Sequence, residues 1–228
     1  MIAIILASGR GVRMGSLTDN TPKPMLTVLD KNLIEWKLEA LPSEIDKIIM
    51  VVGYKKEIIM DYFGDSWKGV PITYIVQDPI NGTAGAVSLC EEHVNDKALV
   101  LMGDDIYNKD DLKKLISYNY AMLVFDEEEE GLKKKGQVVE KDGLFVGLNE
   151  GHMQTGTPSS LINTGACVIS NEYFDYPLVK VSDTEYGLPH TLTQLINDFP
   201  IHIIRATKWI QITDPETLKK AEETLSKN

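Results

Sequence analysis

The chain has 228 residues and a mass of 25.5 kDa, about one and a half average domains, which favours one large domain. Hydrophobic residues make up 43% and charged residues 25%, an ordinary composition for a folded chain that argues against disorder. The formal net charge of −11 argues against nucleic acid or an anionic membrane as a partner. A few amides and basic side chains can still create a local site for an anionic small molecule.

The cysteines and the apolar runs indicate the compartment. Cys90 and Cys167 form neither a disulfide framework nor a zinc pattern, and we interpret them as small buried hydrophobic residues. No apolar stretch reaches the roughly 18 residues that a membrane span needs, and the run at 2–6 is too short for a signal peptide. We therefore expect a cytoplasmic protein without membrane contact.

The first half of the chain alternates short β-branched runs with helical patterns. The runs are nearly continuously apolar, as expected for parallel strands that helices cover on both faces. The alternation predicts a Rossmann-like, doubly wound α/β sheet that is mostly parallel, with its ligand beyond the carboxyl ends of the strands. The predicted strands are 2–7, 47–52, 72–76, 98–102 and 121–125, and the predicted helices are 32–41, 55–63, 84–94 and 110–118.

After about residue 127 the pattern changes. Two short strands joined by a glycine-containing turn at 141–143 predict a hairpin, and opposite-charge blocks at 127–130 and 133–135 predict a solvated loop. We interpret residues 1–228 as a single mixed α/β domain whose second half is a smaller, β-rich lobe forming the far wall of a cleft. Its predicted strands are 136–140, 144–149, 161–170 and 201–206, and its predicted helices are 171–176, 189–199 and 215–226.

The segment that follows the first strand carries the most informative motif. Gly9 and Gly11 place no Cβ between the backbone amides and a phosphate group. Arg13 supplies a guanidinium fork suited to phosphate oxygens, and Lys23 supplies a compact cation between two prolines. The segment lacks the third glycine of a dinucleotide fingerprint and the Gly-Lys-Ser/Thr of a Walker A loop. The sequence therefore predicts a polyphosphate site of another type.

Residues 6–26 match almost position for position the signature LAxGxGxRMxxLTxxxPKPML, so the chain resembles the sugar-1-phosphate nucleotidylyltransferases. The resemblance implies a magnesium-dependent enzyme that joins a nucleoside triphosphate to a sugar 1-phosphate and releases pyrophosphate. It implies that Arg13 and Lys23 contact the nucleotide phosphates and act in catalysis. The remaining nucleotide-binding positions of this segment are Leu6, Ala7, Ser8, Gly9 and Gly11.

A second segment resembles the base-recognition motif of that family. Gln77 is followed by Asn81-Gly82-Thr83-Ala84-Gly85, and the resemblance places Gln77, Gly82 and Thr83 at the nucleotide. Taken alone, Gly82-Thr83 also fits a loop that caps a helix. The resemblance leaves the base open: uridine and thymidine fit, and cytidine and guanosine stay open.

Gly103-Asp104, directly after the strand at 98–102, resembles the family motif whose aspartate binds magnesium and nucleotide. Carboxylates at the carboxyl end of a parallel strand suit a hard cation that also binds phosphates. In the closing segment 209–216, Gln211 stands where the family usually has its second metal-binding aspartate, which makes it the weaker metal ligand. Asp105, Asp214 or bound waters are the candidates to replace the missing carboxylate.

The second half resembles the family more loosely. The resemblance assigns Gly136, Glu150 and Asn163 to acceptor binding, and dimers or tetramers in that family make a homo-oligomer an option. Gly151 replaces the lysine that usually follows the glutamate. Two alternatives therefore stay open, a cytidylyltransferase acting on a phosphate such as phosphocholine and a non-catalytic nucleotide sensor.

Overall fold

The computed structural model describes residues 1–127, 136–150, 153–156 and 159–227. Most of the predicted charged loop at 127–135 lies outside these ranges, as does Gly151. The elements listed below are those of the described residues.

Four neighbouring parallel strands form the centre of the main sheet, in the order β7-β1-β4-β6. They match the predicted strands closely, because each is a nearly continuous apolar run that ends at polar or glycine residues. Ile5 of the innermost strand pairs with Met50 on one side and Leu101 on the other. The four strands are β1 (Ile2–Ala7), β4 (Lys47–Val52), β6 (Val70–Val76) and β7 (Lys97–Met102).

The second half of the chain adds mainly antiparallel strands, so the sheet is mixed and its parallel ladders lie mostly in the first half. β13 (Leu161–Ser170) runs antiparallel between β7 and β9 (Ala121–Asp126), and β14 (His202–Arg205) pairs parallel with β9. The predicted hairpin pairs at the far edge, and its turn residues Asp142 and Gly143 both have positive φ. Its strands are β10 (Gln137–Lys141) and β11 (Leu144–Glu150), with β12 (Met153–Gln154) on β11.

Short strands that the sequence pattern did not predict complete the ladders. Each has two residues, too few for a readable alternation. They are β2 (Thr27–Val28) with β3 (Lys31–Asn32), β5 (Ser66–Trp67) on β6, and β8 (Ile106–Tyr107) with β15 (Trp209–Ile210).

Helices cover the sheet, and two of the predicted ones are shorter than expected. The predicted helix at 84–94 ends at Ser88 and that at 189–199 ends at Leu192, each being followed by tighter turns that lead towards the next strand. No helix in the described ranges is long and apolar enough to cross a bilayer. The α-helices are α1 (Leu33–Ala40), α2 (Lys56–Phe63), α3 (Thr83–Ser88), α4 (Lys109–Leu115), α5 (Leu188–Leu192) and α6 (Pro215–Leu225).

The sheet separates two hydrophobic layers. Ile4 and Leu6 face one layer and Ile5 faces the other, as the two-residue period of a strand requires. Cys90 and Cys167 are free and buried in the first layer, as predicted, and burial raises the pKa of both thiols to about 12. With both faces of the central strands covered, the strand ends are left to form a site.

Candidate active site

The residues that follow the four parallel strands meet at one edge of the sheet. Ser8 follows β1, Gly53 follows β4, Gln77 follows β6, and Asp104 lies just beyond β7. A Cβ atom on Gly53 would lie 2.8 Å from the Ser8 carbonyl oxygen, so the glycine lets the two strand ends come together. This edge is the crevice that the doubly wound pattern predicted.

The loop after β1 is built against the segment that carries Lys23. Gly11 has φ of 70°, and a Cβ there would lie 2.6 Å from the Lys23 Cβ. Both the conformation and the contact therefore require glycine at this position. Two 3₁₀ helices, Val12–Thr18 and Lys23–Met25, follow, and the Thr18 hydroxyl donates to the Gly11 carbonyl at 3.2 Å.

The two predicted catalytic cations have different surroundings. Lys23 is buried, and its Nζ lies 2.5 Å from Asp104 Oδ2. Arg13 is exposed and forms no ion pair within the part of the chain that the structure describes. One cation is thus held by protein, and the guanidinium of the other is available to an anionic ligand.

Two cavities open at this edge. The first, which we call the loop cavity, has a volume of about 430 Å³. Every residue predicted to bind the nucleotide lines it: Leu6, Ala7, Ser8, Gly9, Gly11, Arg13, Lys23, Gln77, Gly82, Thr83 and Asp104.

The second, which we call the β13 cavity, has a volume of about 330 Å³. Every residue predicted to bind the acceptor lines it, together with the weaker metal candidate: Gly136, Glu150, Asn163 and Gln211. The two cavities share a boundary formed by Arg13, Thr83, Met102, Asp104 and Thr213.

The wall of the β13 cavity depends on two close approaches. A Cβ on Gly136 would lie 2.5 Å from Glu150 Cδ, so glycine leaves room for the Glu150 side chain. In β13 the pairing with β9 is irregular between Asn163 and Cys167, and the Asn163 carboxamide oxygen accepts from the Gly165 amide at 2.9 Å. Such a bulge redirects side chains locally.

A buried pair of charged residues lies close to Asp104, and sequence reasoning missed its lysine. Lys37 of α1 is fully buried, and its Nζ donates to the Leu33 carbonyl at 2.9 Å. Burial lowers the pKa of Lys37 to about 8, opposed by the charges of Asp104 and Asp105. The signal was present: Lys37 stands on the apolar face of α1, four residues after Leu33.

Asp105 is the acidic member of this pair. Burial raises its pKa to about 8, the nearby Asp104 carboxylate raises it further, and Lys37 opposes the shift. Its Oδ2 accepts from the Trp209 indole at 3.1 Å. Asp214 is also engaged, because its carboxylate caps α6 by accepting from the Thr217 amide at 2.9 Å. Both suggested replacements for the second metal-binding aspartate therefore have structural partners.

Asp104 fits a magnesium ion that is shared with substrate phosphates. The described residues contain no group of three or more acidic, histidine or cysteine side chains that could hold a metal by themselves. Magnesium often binds through one or two carboxylates, phosphate oxygens and waters. The partly exposed Asp104 carboxylate, at the boundary of both cavities, suits that mode, and Gln211 lines the β13 cavity beside it.

Comparison with known proteins identifies relatives of the chain. A family model described as Nucleotidyl transferase matches residues 2–122. Bifunctional protein GlmU of Methanococcus maripaludis (strain C7) is 33% identical over 220 residues, covering 94% of this chain and 52% of that protein. The chain thus spans about half the length of the curated relatives of that kind.

Two further comparisons cover the whole of both partners. UTP--glucose-1-phosphate uridylyltransferase AglF of Haloferax volcanii is 32% identical, covering 99% of this chain and 96% of that protein. The solved structure of the inositol-1-phosphate CTP transferase from T. maritima has a TM-score of 0.80 at 20% identity, with 99% and 95% coverage, and so shares the fold. With the model match over more than half of its residues, the chain belongs to the nucleotidyl transferase family.

Proposed function

We propose that the protein transfers a nucleotidyl group from a nucleoside triphosphate to a sugar 1-phosphate, forming an NDP-sugar and pyrophosphate. The observation that carries this proposal is the shared boundary of the two cavities at Arg13 and Asp104. A nucleotide in the loop cavity and a phosphorylated acceptor in the β13 cavity would meet there. Direct transfer between two substrates needs such a meeting point.

The acceptor phosphate oxygen attacks the α-phosphorus in line, forming a new P–O bond as the bond to pyrophosphate breaks. Arg13 and the amides of residues 9–11 hold the departing β- and γ-phosphates. Lys23, fixed by Asp104, steadies the α-phosphoryl group and the incoming phosphate. A magnesium ion bound through Asp104 would neutralise phosphate charge. No covalent intermediate on the protein is needed, so the catalysis is positioning and charge stabilisation.

The two halves of the chain divide the work in this proposal. Residues 1–126 supply the phosphate loop and the base segment, and residues 127–228 supply Glu150 and Asn163 for the acceptor. AglF, which the chain matches over nearly its whole length, is named for UTP and glucose 1-phosphate, which supports a sugar 1-phosphate as the acceptor here.

The test is pyrophosphate release by the purified chain, crossing five nucleoside triphosphates with sugar 1-phosphates and phosphocholine, with magnesium and with a chelator. Release that requires one nucleotide, one sugar 1-phosphate and magnesium is the expected result. Release with phosphocholine alone would replace the acceptor assignment. Nucleotide binding without release from any acceptor would indicate a sensor and contradict the proposal.

A further inference from the structure

The amide of Gln77, at the floor of the loop cavity, has a fixed orientation. Its Nε2 donates to the Gly82 carbonyl oxygen at 3.0 Å and to Asn81 Oδ1 at 2.8 Å. A backbone carbonyl only accepts hydrogen bonds, so the atom facing Gly82 must be the nitrogen. On the other side, the Ser8 hydroxyl donates to Gln77 Oε1.

These contacts decide what Gln77 can offer a ligand. A primary amide has two N–H donors, and both are engaged by Asn81 and Gly82. Its carbonyl oxygen has two lone pairs, of which Ser8 uses one. Gln77 therefore presents an acceptor, and no donor, to the loop cavity.

Asn81 holds this arrangement, and Gly85 makes room for it. A Cβ on Gly85 would lie 2.8 Å from Asn81 Nδ2 and closer still to the other atoms of that carboxamide. An alanine at position 85 would displace Asn81 and release one Gln77 proton. Asn81 is thus a positioning residue, which acts on the cavity through Gln77.

A second acceptor lies at the same cavity. The segment around Tyr186 docks on the Gln77–Ala84 loop, since the Tyr186 amide donates to the Asn81 carbonyl at 2.8 Å and the Ala84 amide donates to the Tyr186 carbonyl at 3.0 Å. This docking brings Glu185, which is exposed and lacks an ion pair within the described residues, to the cavity wall. Its carboxylate also only accepts.

We propose that the loop cavity selects a nucleotide whose base carries an exocyclic amino group, in preference to uracil or thymine, and that Asn81 sets this preference through Gln77. The amino groups of guanine, cytosine and adenine donate, whereas the O4 of thymine, like that of uracil, accepts. An O4 facing the Gln77 oxygen or Glu185 would lose its hydrogen bond to water without gaining a donor. This inference rests on the proposed function and names the nucleotide class for it.

The experiment measures equilibrium binding of GTP, CTP, ATP, UTP and dTTP to the purified chain with magnesium, and kcat/KM for each with the accepted sugar 1-phosphate. We expect at least one amino-bearing nucleotide to exceed both UTP and dTTP by about tenfold or more, the discrimination worth one good hydrogen-bonded base contact. Binding that favours UTP or dTTP overturns this inference and leaves the proposed function standing. Failure of all five nucleotides to bind overturns both.

Variants separate positioning from folding. Asn81→Ala frees one Gln77 proton and should reduce the preference several-fold by improving UTP and dTTP. Asn81→Asp keeps the accepting oxygen and should keep the preference, and Gly85→Ala should behave like Asn81→Ala. Asn119→Ala, an exposed change before β9, is the matched control. An equal effect of Asn81→Ala and Asn81→Asp on the nucleotide ratios would contradict the role of Asn81.

Discussion

Lys23 Nζ lies 2.5 Å from Asp104 Oδ2, and this ion pair joins the segment that follows the phosphate loop to the end of β7. Only 6% of the lysine side chain is exposed, against 28% of the aspartate side chain. A cation that is both enclosed and paired is held in one place, which is what a group acting on a transferring phosphoryl requires.

Replacing Lys23 by alanine should reduce kcat for pyrophosphate release by about 10²-fold or more, because a preorganised donor to the transferring group is lost. Lys31→Ala is the matched control, since Lys31 pairs with Glu39 away from both cavities. Steady-state kinetics at saturating nucleotide measures both. More than about a tenth of the original activity in Lys23→Ala would show that the role is assigned to the wrong residue.

Asp104→Asn should weaken both activity and stability. It leaves the enclosed Lys23 ammonium without its counter-charge, which we expect to lower the free energy of unfolding by about 1–3 kcal/mol, measured by urea denaturation. It also removes the carboxylate proposed for magnesium, so the magnesium concentration for half-maximal activity should rise. An unchanged magnesium requirement would argue against Asp104 as a metal ligand, whatever happens to stability.

Gly136→Ala should affect the acceptor and spare the nucleotide. The added Cβ would lie 2.5 Å from Glu150 Cδ and must displace that side chain from the wall of the β13 cavity. We expect KM for the sugar 1-phosphate to rise about tenfold, the size of one lost hydrogen bond to a charged group. KM for the nucleotide should change little and is the internal control. Equal increases in both would indicate a general distortion of the sheet edge.

The strands and the site positions of the first half were accessible from sequence for a physical reason. β1, β4 and β13 have the predicted bounds, because continuous apolar runs with polar ends leave little choice of boundary. The strand ends then bring Ser8, Gln77 and Asp104 together, since parallel neighbours end at the same edge. Local chemistry was sufficient here because the topology follows from the alternation of elements.

What sequence could not give depends on contacts between distant segments. The orientation of the Gln77 amide is set by Asn81 and by the Gly82 carbonyl, and no pattern reports a hydrogen-bond partner. The docking of Tyr186 on the loop beside Gly82 joins residues about a hundred positions apart. Antiparallel β13 between β7 and β9 likewise follows from the path of the chain, which composition does not encode.

Lys37→Met should stabilise the protein at pH 7. Burial lowers the pKa of Lys37 from 10.5 to about 8, so the folded state disfavours the charged lysine by on the order of 3 kcal/mol. This penalty is fully present below pH 8, where the lysine is charged in both states. It is relieved between pH 8 and 10.5, where the unfolded chain binds the proton more strongly than the folded protein.

The gain in unfolding free energy should therefore be on the order of 1–3 kcal/mol at pH 7 and should narrow as the pH rises towards 10.5. Asp104, Asp105 and Lys23 act on this lysine, and losing its charge raises the pKa of Asp105 further, so that carboxyl stays protonated at pH 7. Urea denaturation from pH 6 to 10 measures the effect, with Lys113→Met on the exposed side of α4 as the control. A variant less stable than the original protein at pH 7 would mean that the lysine charge compensates Asp104 and Asp105 by more than its burial costs.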